Sequence, residues 1–260
     1  MKSHESKVFW DIINCGLNEF GTSSLCSGVT NSQGSTNKED FHIPEPWNGN
    51  LSTARILFVS INPGYSEGEL YPRTGNVFWA PNGAFNHAKV EEFFEGRFNL
   101  VNPYVSYKPG GHAFKIAMES GSYKSVRGFW NYIFKMARII LPQADPCKDI
   151  AITELVHCKS KDISFLTTPC LDRCMKTHIA KVFKLAMKVD WVIFIGAPVR
   201  ECIRRYYGFS SPVKQEWYCT SKLNGRNTKI VFVDHNNAFP DKNGKRFTGI
   251  LPPPAICLAI

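Results

Sequence analysis

The sequence predicts an α/β protein, a three-layer α/β/α sandwich around a short, mostly parallel central sheet. Two observations carry this. Four short β-branched runs, at residues 55–61, 149–156, 191–195 and 229–234, have mostly apolar interiors rather than alternating ones. Strands buried on both faces of a parallel sheet read this way. The stretches between them carry helical periodicity, and strands that alternate with helices build parallel sheets covered on both sides. With 260 residues, the chain fits one α/β domain over 43–260, preceded by an N-terminal extension over 1–42.

The elements follow in order. Residues 6–20 place apolar side chains at helical spacing up to Gly21. Residues 21–42 are rich in Ser, Thr, Gly and Asn and read as irregular. An extended segment over 43–50 leads to the first strand, which ends in Asn62-Pro63-Gly64. Residues 65–87 form a long loop rich in aromatics and Gly, and such loops in compact domains are often functional. A helix is expected over 90–98, with Phe94 and Phe98 one turn apart and Arg97 pointing elsewhere. Residues 101–124 read as a basic loop. The span 124–141 reads as an amphipathic helix with Trp130, Ile133, Phe134, Ala137 and Ile140 on one face. After the second strand, 171–189 is a helix with Cys174, Ile179, Val182 and Leu185 inward. The third strand ends in Gly196-Ala197-Pro198, a helix follows over 199–207, and the fourth strand ends at His235. No internal repeat and neither G-x-G-x-x-G nor G-x4-G-K-[ST] occurs, so dinucleotide and P-loop functions lose their main support.

Charge narrows the partner. Thirty-one Lys and Arg against 22 Asp and Glu leave a formal charge of +9, which favours a polyanion, nucleic acid ahead of membrane. Aromatic residues make up 13%, which suits base stacking as well as a Phe-rich core. No signal peptide and no run of membrane-spanning length is read from the sequence. Nine cysteines at irregular spacing argue against a complete disulfide framework and for a reducing cytoplasm, or a nucleus. A monomer is expected.

The chemistry is read at strand ends, where open α/β sheets bind ligands. Asn62 carries an amide able to hold a water; Pro63 biases it toward extended geometry, and Gly64 lets a ligand approach the backbone. The same three residues also make a good β-turn in any fold. Thr74-Gly75-Asn76-Val77-Phe78 follows. Together these segments resemble motif 1 of the uracil-DNA glycosylase superfamily, closest to its mismatch-specific thymine/uracil branch. The resemblance implies that Asn62 orients the hydrolytic water and that Phe78 stacks on a flipped base. The fourth strand and His235-Asn236-Asn237 resemble motif 2, although most of the family has Pro after the first residue. There the resemblance implies that His235 donates to the base carbonyl. Phe239 would wedge into the gap left by the base, and Lys242, Lys245 and Arg246 would meet phosphates.

The middle motif, Thr153-Glu154-Leu155-Val156-His157-Cys158, is similar to the iron–sulfur branch. Relatives carry Asn just before Leu-Val, and its amide pairs with uracil. An amide donates and accepts, whereas an ionised carboxylate only accepts. Glu154 would therefore take an amine or ring N–H and repel a carbonyl; otherwise Thr153 does the pairing, or Glu154 is protonated. Cys158 and Cys174 fall at a separation like that branch's last two cluster ligands. The N-terminal Cys-x-x-Cys pair is missing, so a [4Fe-4S] cluster would need Cys15 and Cys26 at altered spacing, with Cys170 as a competitor. The chemistry requires no cofactor. The resemblance covers roughly residues 45–250 and implies a DNA glycosylase, a monofunctional hydrolase of N-glycosyl bonds acting on single- or double-stranded DNA with a damaged base. Two other classes stay open: a non-catalytic binder of damaged or single-stranded nucleic acid, and an α/β enzyme acting on free nucleosides.

Overall fold

The structure is a computed structural model that describes residues 3–21, 25–34, 39–80, 83–99, 104–107, 114–125, 128–207 and 219–233. The chain begins with helices α1 (Ser3–Glu19) and α2 (Ser27–Asn31), then strands β1 (Asn48–Gly49) and β2 (Ile56–Ser60). A small hairpin of β3 (Trp79–Ala80) and β4 (Ala84–Phe85) precedes α3 (His87–Glu95). A three-stranded antiparallel sheet follows, made of β5 (Val105–Tyr107), β6 (Phe114–Ala117) and β7 (Tyr123–Ser125). Next come α4 (Phe129–Ile140), α5 (Pro146–Asp149), β8 (Ile150–Glu154), α6 (Thr168–Cys174), α7 (Ala180–Leu185), β9 (Trp191–Ile195), α8 (Ala197–Tyr207), β10 (Cys219–Leu223) and β11 (Arg226–Val233).

The central sheet has six strands in the order β1-β8-β2-β9-β11-β10. Its four inner strands are parallel, and the two edge strands run antiparallel to their neighbours. The four inner strands are the four apolar runs of the sequence. Alternate residues feed two cores, because successive strand side chains point to opposite faces. Leu57, Val59, Val192, Phe194, Ile230 and Phe232 face one core, shared with α1, α3 and α8. Ile56, Phe58, Ile152, Ile193, Ile195 and Val231 face the other, closed by Ile133, Phe134 and Ala137 of α4. Helices thus cover both faces, as the sequence predicts. No helix among the described residues is long and apolar enough to cross a membrane.

Several expectations change. The N-terminal helix packs into the main body: Val8, Phe9, Ile12 and Ile13 of α1 lie in the main core, where burial of its apolar stripe stabilises it. Within 21–42, α2 forms, and Gln33 is buried, its side chain bridging His42 and Lys159 of the main body. The basic loop over 101–124 contains β5, β6 and β7, and α4 starts at Phe129 rather than 124. The edge strand β1 escaped detection because it is two residues long. Gly49 is required there: its φ is +84°, and a Cβ would come within 2.4 Å of the Ile150 carbonyl oxygen.

Candidate active site

In the parallel part of the sheet the spatial order is β8-β2-β9-β11: the connection from β2 goes to β8 on one side, and the next, from β8, crosses back to β9 on the other. The carboxyl end beside β2 is therefore a topological switch point, where doubly wound sheets open a crevice. Asn62 lies there, two residues past Ser60. The chain beyond β8 runs alongside it. Leu155 N–H donates to Ser60 O (2.9 Å), Val156 N–H to Ile61 O (2.9 Å), Ser160 N–H to Pro63 O (3.2 Å) and Tyr65 N–H to Ser160 O (2.9 Å).

This pairing fixes the Asn62 amide. Its Nδ2 donates to the Pro63 carbonyl (3.2 Å) and to Ser160 Oγ (2.6 Å). Ser160 Oγ in turn donates to the Asp162 carbonyl (2.8 Å), which can only accept, so the Ser160 oxygen must accept from Asn62. Both amide hydrogens are committed. Oδ1 accepts no hydrogen bond among the described residues, and the side chain is only half-buried. Gly64 is exposed, and a Cβ there would meet nothing within 4 Å.

Behind this edge sits a buried charged network. Lys159, 3% exposed, places Nζ 3.5 Å from Glu45 Oε2, 3.5 Å from Glu69 Oε2 and 3.9 Å from the Tyr71 ring centroid. Arg97 pairs with Glu69 Oε1 and stacks on Phe93 at 4.2 Å. Asn48 Nδ2 donates to Glu45 Oε1, and Tyr71 Oη donates to Glu45 Oε2 at 3.3 Å. His42 stacks on Tyr71. Burial pushes the Glu69 carboxyl up, but Lys159 and Arg97 outweigh it and hold the group below the ordinary value. Burial, helped by Glu45, pushes the Tyr71 phenol well up. Burial and Lys159 drive His42 down to about 3. His157 donates Nδ1–H to the Glu45 carbonyl (2.9 Å) and is driven down to about 3 by burial and by His178.

Glu154 closes β8, in register with Ser60 of β2. It is 4% exposed, and Oε2 has no hydrogen-bond partner among the described residues. Burial raises its carboxyl well above the ordinary range; Glu45 adds to this, while Ser60 and Lys159 oppose it. Thr153 is fully buried and donates its hydroxyl to the Pro46 carbonyl (2.9 Å), so the structure gives it an anchoring task rather than a free reading edge.

The structure also corrects the placement of Phe78. Gly75 takes φ +79°, and Asn76 Oδ1 accepts from Phe78 N–H at 3.1 Å; this turn swings the ring inward. Phe78 is fully buried, 5.2 Å edge-to-face from Phe93 and 4.9 Å from Tyr104, with no open face for a base. His235, Phe239, Lys242, Lys245 and Arg246 lie outside the described residues; β11 reaches the same sheet edge at Val233.

The four thiols that the resemblance implies, and Cys170, lie near one another. Cys26, Cys158, Cys170 and Cys174 share one small buried cluster with Val29 and Val156. Cys15 is half-buried beside this cluster, near enough for its charge to raise the Cys158 and Cys170 thiols. A hydrogen bond that the Cys170 thiol donates to Cys174, together with burial, raises Cys170 to about 12, and burial with the neighbouring thiols raises Cys158. Among the described residues no group of three or more His, Cys, Asp or Glu is placed to hold a metal ion.

Sequence reading missed Glu45, Glu69, Tyr71, Arg97, Lys159 and Ser160. Lys159 and Ser160 carried a signal, because they directly follow the middle motif. The others come from distant segments, and nothing local marks them. The geometry defines an α/β protein with a polar site at the switch point of its sheet. Comparisons with known protein families and with curated proteins find no match for this chain.

Proposed function

We propose that this protein is a DNA glycosylase of the uracil-DNA glycosylase superfamily, hydrolysing the N-glycosyl bond of a flipped damaged or deaminated base in base excision repair. One observation carries the reading: the Asn62 amide has both N–H groups tied to Pro63 and Ser160, which leaves Oδ1 as a fixed acceptor at the switch point. A fixed acceptor orients a water by taking one of its hydrogens, and the water's lone pair then faces the sugar. The C1′–N bond breaks with its electron pair leaving on the base. The water oxygen bonds to C1′, and its proton passes to the departing base. Asn62 is too weak a base to remove that proton early, so the step depends on an oxocarbenium-like sugar forming first and on donors to the base anion. His235 is proposed for that second task. Phe239 is proposed as the wedge, and Lys242, Lys245 and Arg246 as phosphate contacts, in line with the +9 charge. The protein is proposed to act as a monomer on DNA.

Base release from labelled single- and double-stranded oligonucleotides carrying uracil, hypoxanthine, xanthine or a G·T mismatch tests the reading. Release by the wild type, lost in Asn62→Ala, supports it. A second reading, a non-catalytic binder of damaged or single-stranded nucleic acid, draws on the buried Phe78, which leaves no stacking face open. Tight binding of these oligonucleotides with no base released favours it.

A further inference from the structure

We infer that the β5-β6-β7 sheet is a docking surface for single-stranded DNA. Tyr123 stacks on an unpaired base there, and Lys115 and Lys124 meet the flanking phosphates. The surface rests on the proposed function only for its partner, nucleic acid, and does not need hydrolysis.

Charge is concentrated in this part of the chain. Residues 101–127 hold four Lys and Arg against one acid, Glu119. That acid is already matched, because Arg73 Nη2 lies 2.7 Å from Glu119 Oε1. Lys115 and Lys124 are exposed, and neither pairs with an acid among the described residues. A surface of this sign gathers a polyanion. Strand pairing sets the spacing. Lys115 lies opposite Ser125 and Ala117 opposite Tyr123, so Lys115 and Tyr123 share one face as diagonal neighbours. Such neighbours stand about 7–8 Å apart, within joint reach of an aromatic and a long side chain. Tyr123 is 49% exposed, in a protein that buries most of its described aromatic rings. Lys124 follows it on β7, the outer strand of the sheet. A lysine on a free edge also guards against strand pairing, but that task does not explain the open ring beside it.

The sheet is anchored beside the switch point. Leu70 N–H donates to Ala117 O and Glu119 N–H to Gly68 O, each at 2.9 Å, so the end of β6 and the turn after it are clamped onto residues 68–70. Gly68 follows Gly64 by four residues, at most about 14 Å of chain. A strand that brings one nucleotide to Asn62 therefore passes its neighbours within reach of Tyr123 and the two lysines. A ring stacks only on a base whose face is open, and duplex bases are covered by their neighbours. The exposed ring with cations beside it thus fits a single strand better than a duplex.

The test uses the full chain with a labelled, undamaged single-stranded oligonucleotide, and reads binding by fluorescence anisotropy from about 50 to 200 mM salt. Lys115→Gln combined with Lys124→Gln is expected to weaken binding and to lower the slope of log K against log salt by about 1.4, the share of two phosphates on a single strand. Tyr123→Ala is expected to weaken binding about fivefold or more with the slope unchanged, while Tyr123→Phe binds as the wild type does. Lys184→Gln combined with Lys188→Gln removes the same charge from exposed positions close to the amino end of β9, and keeps the wild-type slope. The unfolding midpoint of each variant confirms that it is folded. Wild-type affinity and slope in the Lys115 and Lys124 variant overturn the inference. So does an equal loss in the Lys184 and Lys188 variant, or a loss in Tyr123→Phe as large as in Tyr123→Ala. Binding to vesicles of phosphatidylserine and phosphatidylcholine, with none to the oligonucleotide, also overturns it. Binding that depends on these residues, with no base released from a uracil oligonucleotide, upholds the surface and sinks hydrolysis; base release with binding indifferent to them does the reverse.

Discussion

Lys159→Met removes the hub of the buried network and keeps its apolar stem. In the native protein the ammonium lies 3.5 Å from each of Glu45 and Glu69 and 3.9 Å over Tyr71, at 3% exposure. Removing one partner from a buried ion pair destabilises by about 3–5 kcal/mol, because the remaining charge stays buried without its counter-ion. Here both carboxylates keep other donors, Arg97 for Glu69 and Asn48 and Tyr71 for Glu45, which places the expected loss near the lower end, about 3 kcal/mol. Urea unfolding at pH 7 and 25 °C, read by tryptophan fluorescence and by far-UV circular dichroism, measures it. Adding Glu45→Gln to Lys159→Met should recover about 1 kcal/mol or more, since the pair is directly coupled. A loss below about 1 kcal/mol for Lys159→Met, the value of an exposed pair, would refute the claim that this network is buried and matched.

Four other outcomes follow. Ser160→Ala removes the acceptor that holds Asn62 Nδ2 and should slow base release about tenfold while changing urea stability by only about 1 kcal/mol; unchanged release would show that the amide needs no such hold. Phe78→Ala should lose about 3–5 kcal/mol of stability, as a fully buried ring does, so its activity can be compared only at temperatures where it stays folded; an undiminished unfolding midpoint would place the ring outside the core. Acid should destabilise the protein through His42, His157 and His178, held down to about 3, 3 and 4. Their folded values lie below the unfolded one, so the unfolded chain binds more protons, and stability is full above about pH 6.5 and lost as pH falls toward 4. A stability profile flat from pH 7 to 4.5 would contradict that. A thiol reagent should reach Cys15 and Cys147 in the native state and Cys26, Cys158, Cys170, Cys174 and Cys202 only on unfolding; fast native labelling of Cys158 would contradict the packing.

The sheet was legible because its signal is local: each inner strand is a continuous apolar run ended by a polar residue or glycine. Asn62 and Glu154 were legible for the same reason, standing at the ends of such runs. Burial was much harder to read. Phe78 looks like a loop aromatic in sequence, and the φ of Gly75 with the Asn76 side chain sends it inward. Arg97 looks like a solvent-facing residue of a helix, and Glu69, 28 residues earlier, together with the Phe93 ring explains why it lies inside. Glu45 sits between two prolines and reads as linker, yet it meets Lys159 across more than a hundred residues. The register that brings Ser160 to Asn62 depends on how the chain leaves β8, and no spacing in the sequence records that.

The central claim is that Asn62 orients the water that replaces the base. Single-turnover release of uracil from a fluorescently labelled single-stranded oligonucleotide, comparing wild type with Asn62→Ala, tests it directly. The account predicts release by the wild type and a fall of about a hundredfold or more in the variant, with its unfolding midpoint unchanged. Release at the wild-type rate by Asn62→Ala would contradict it.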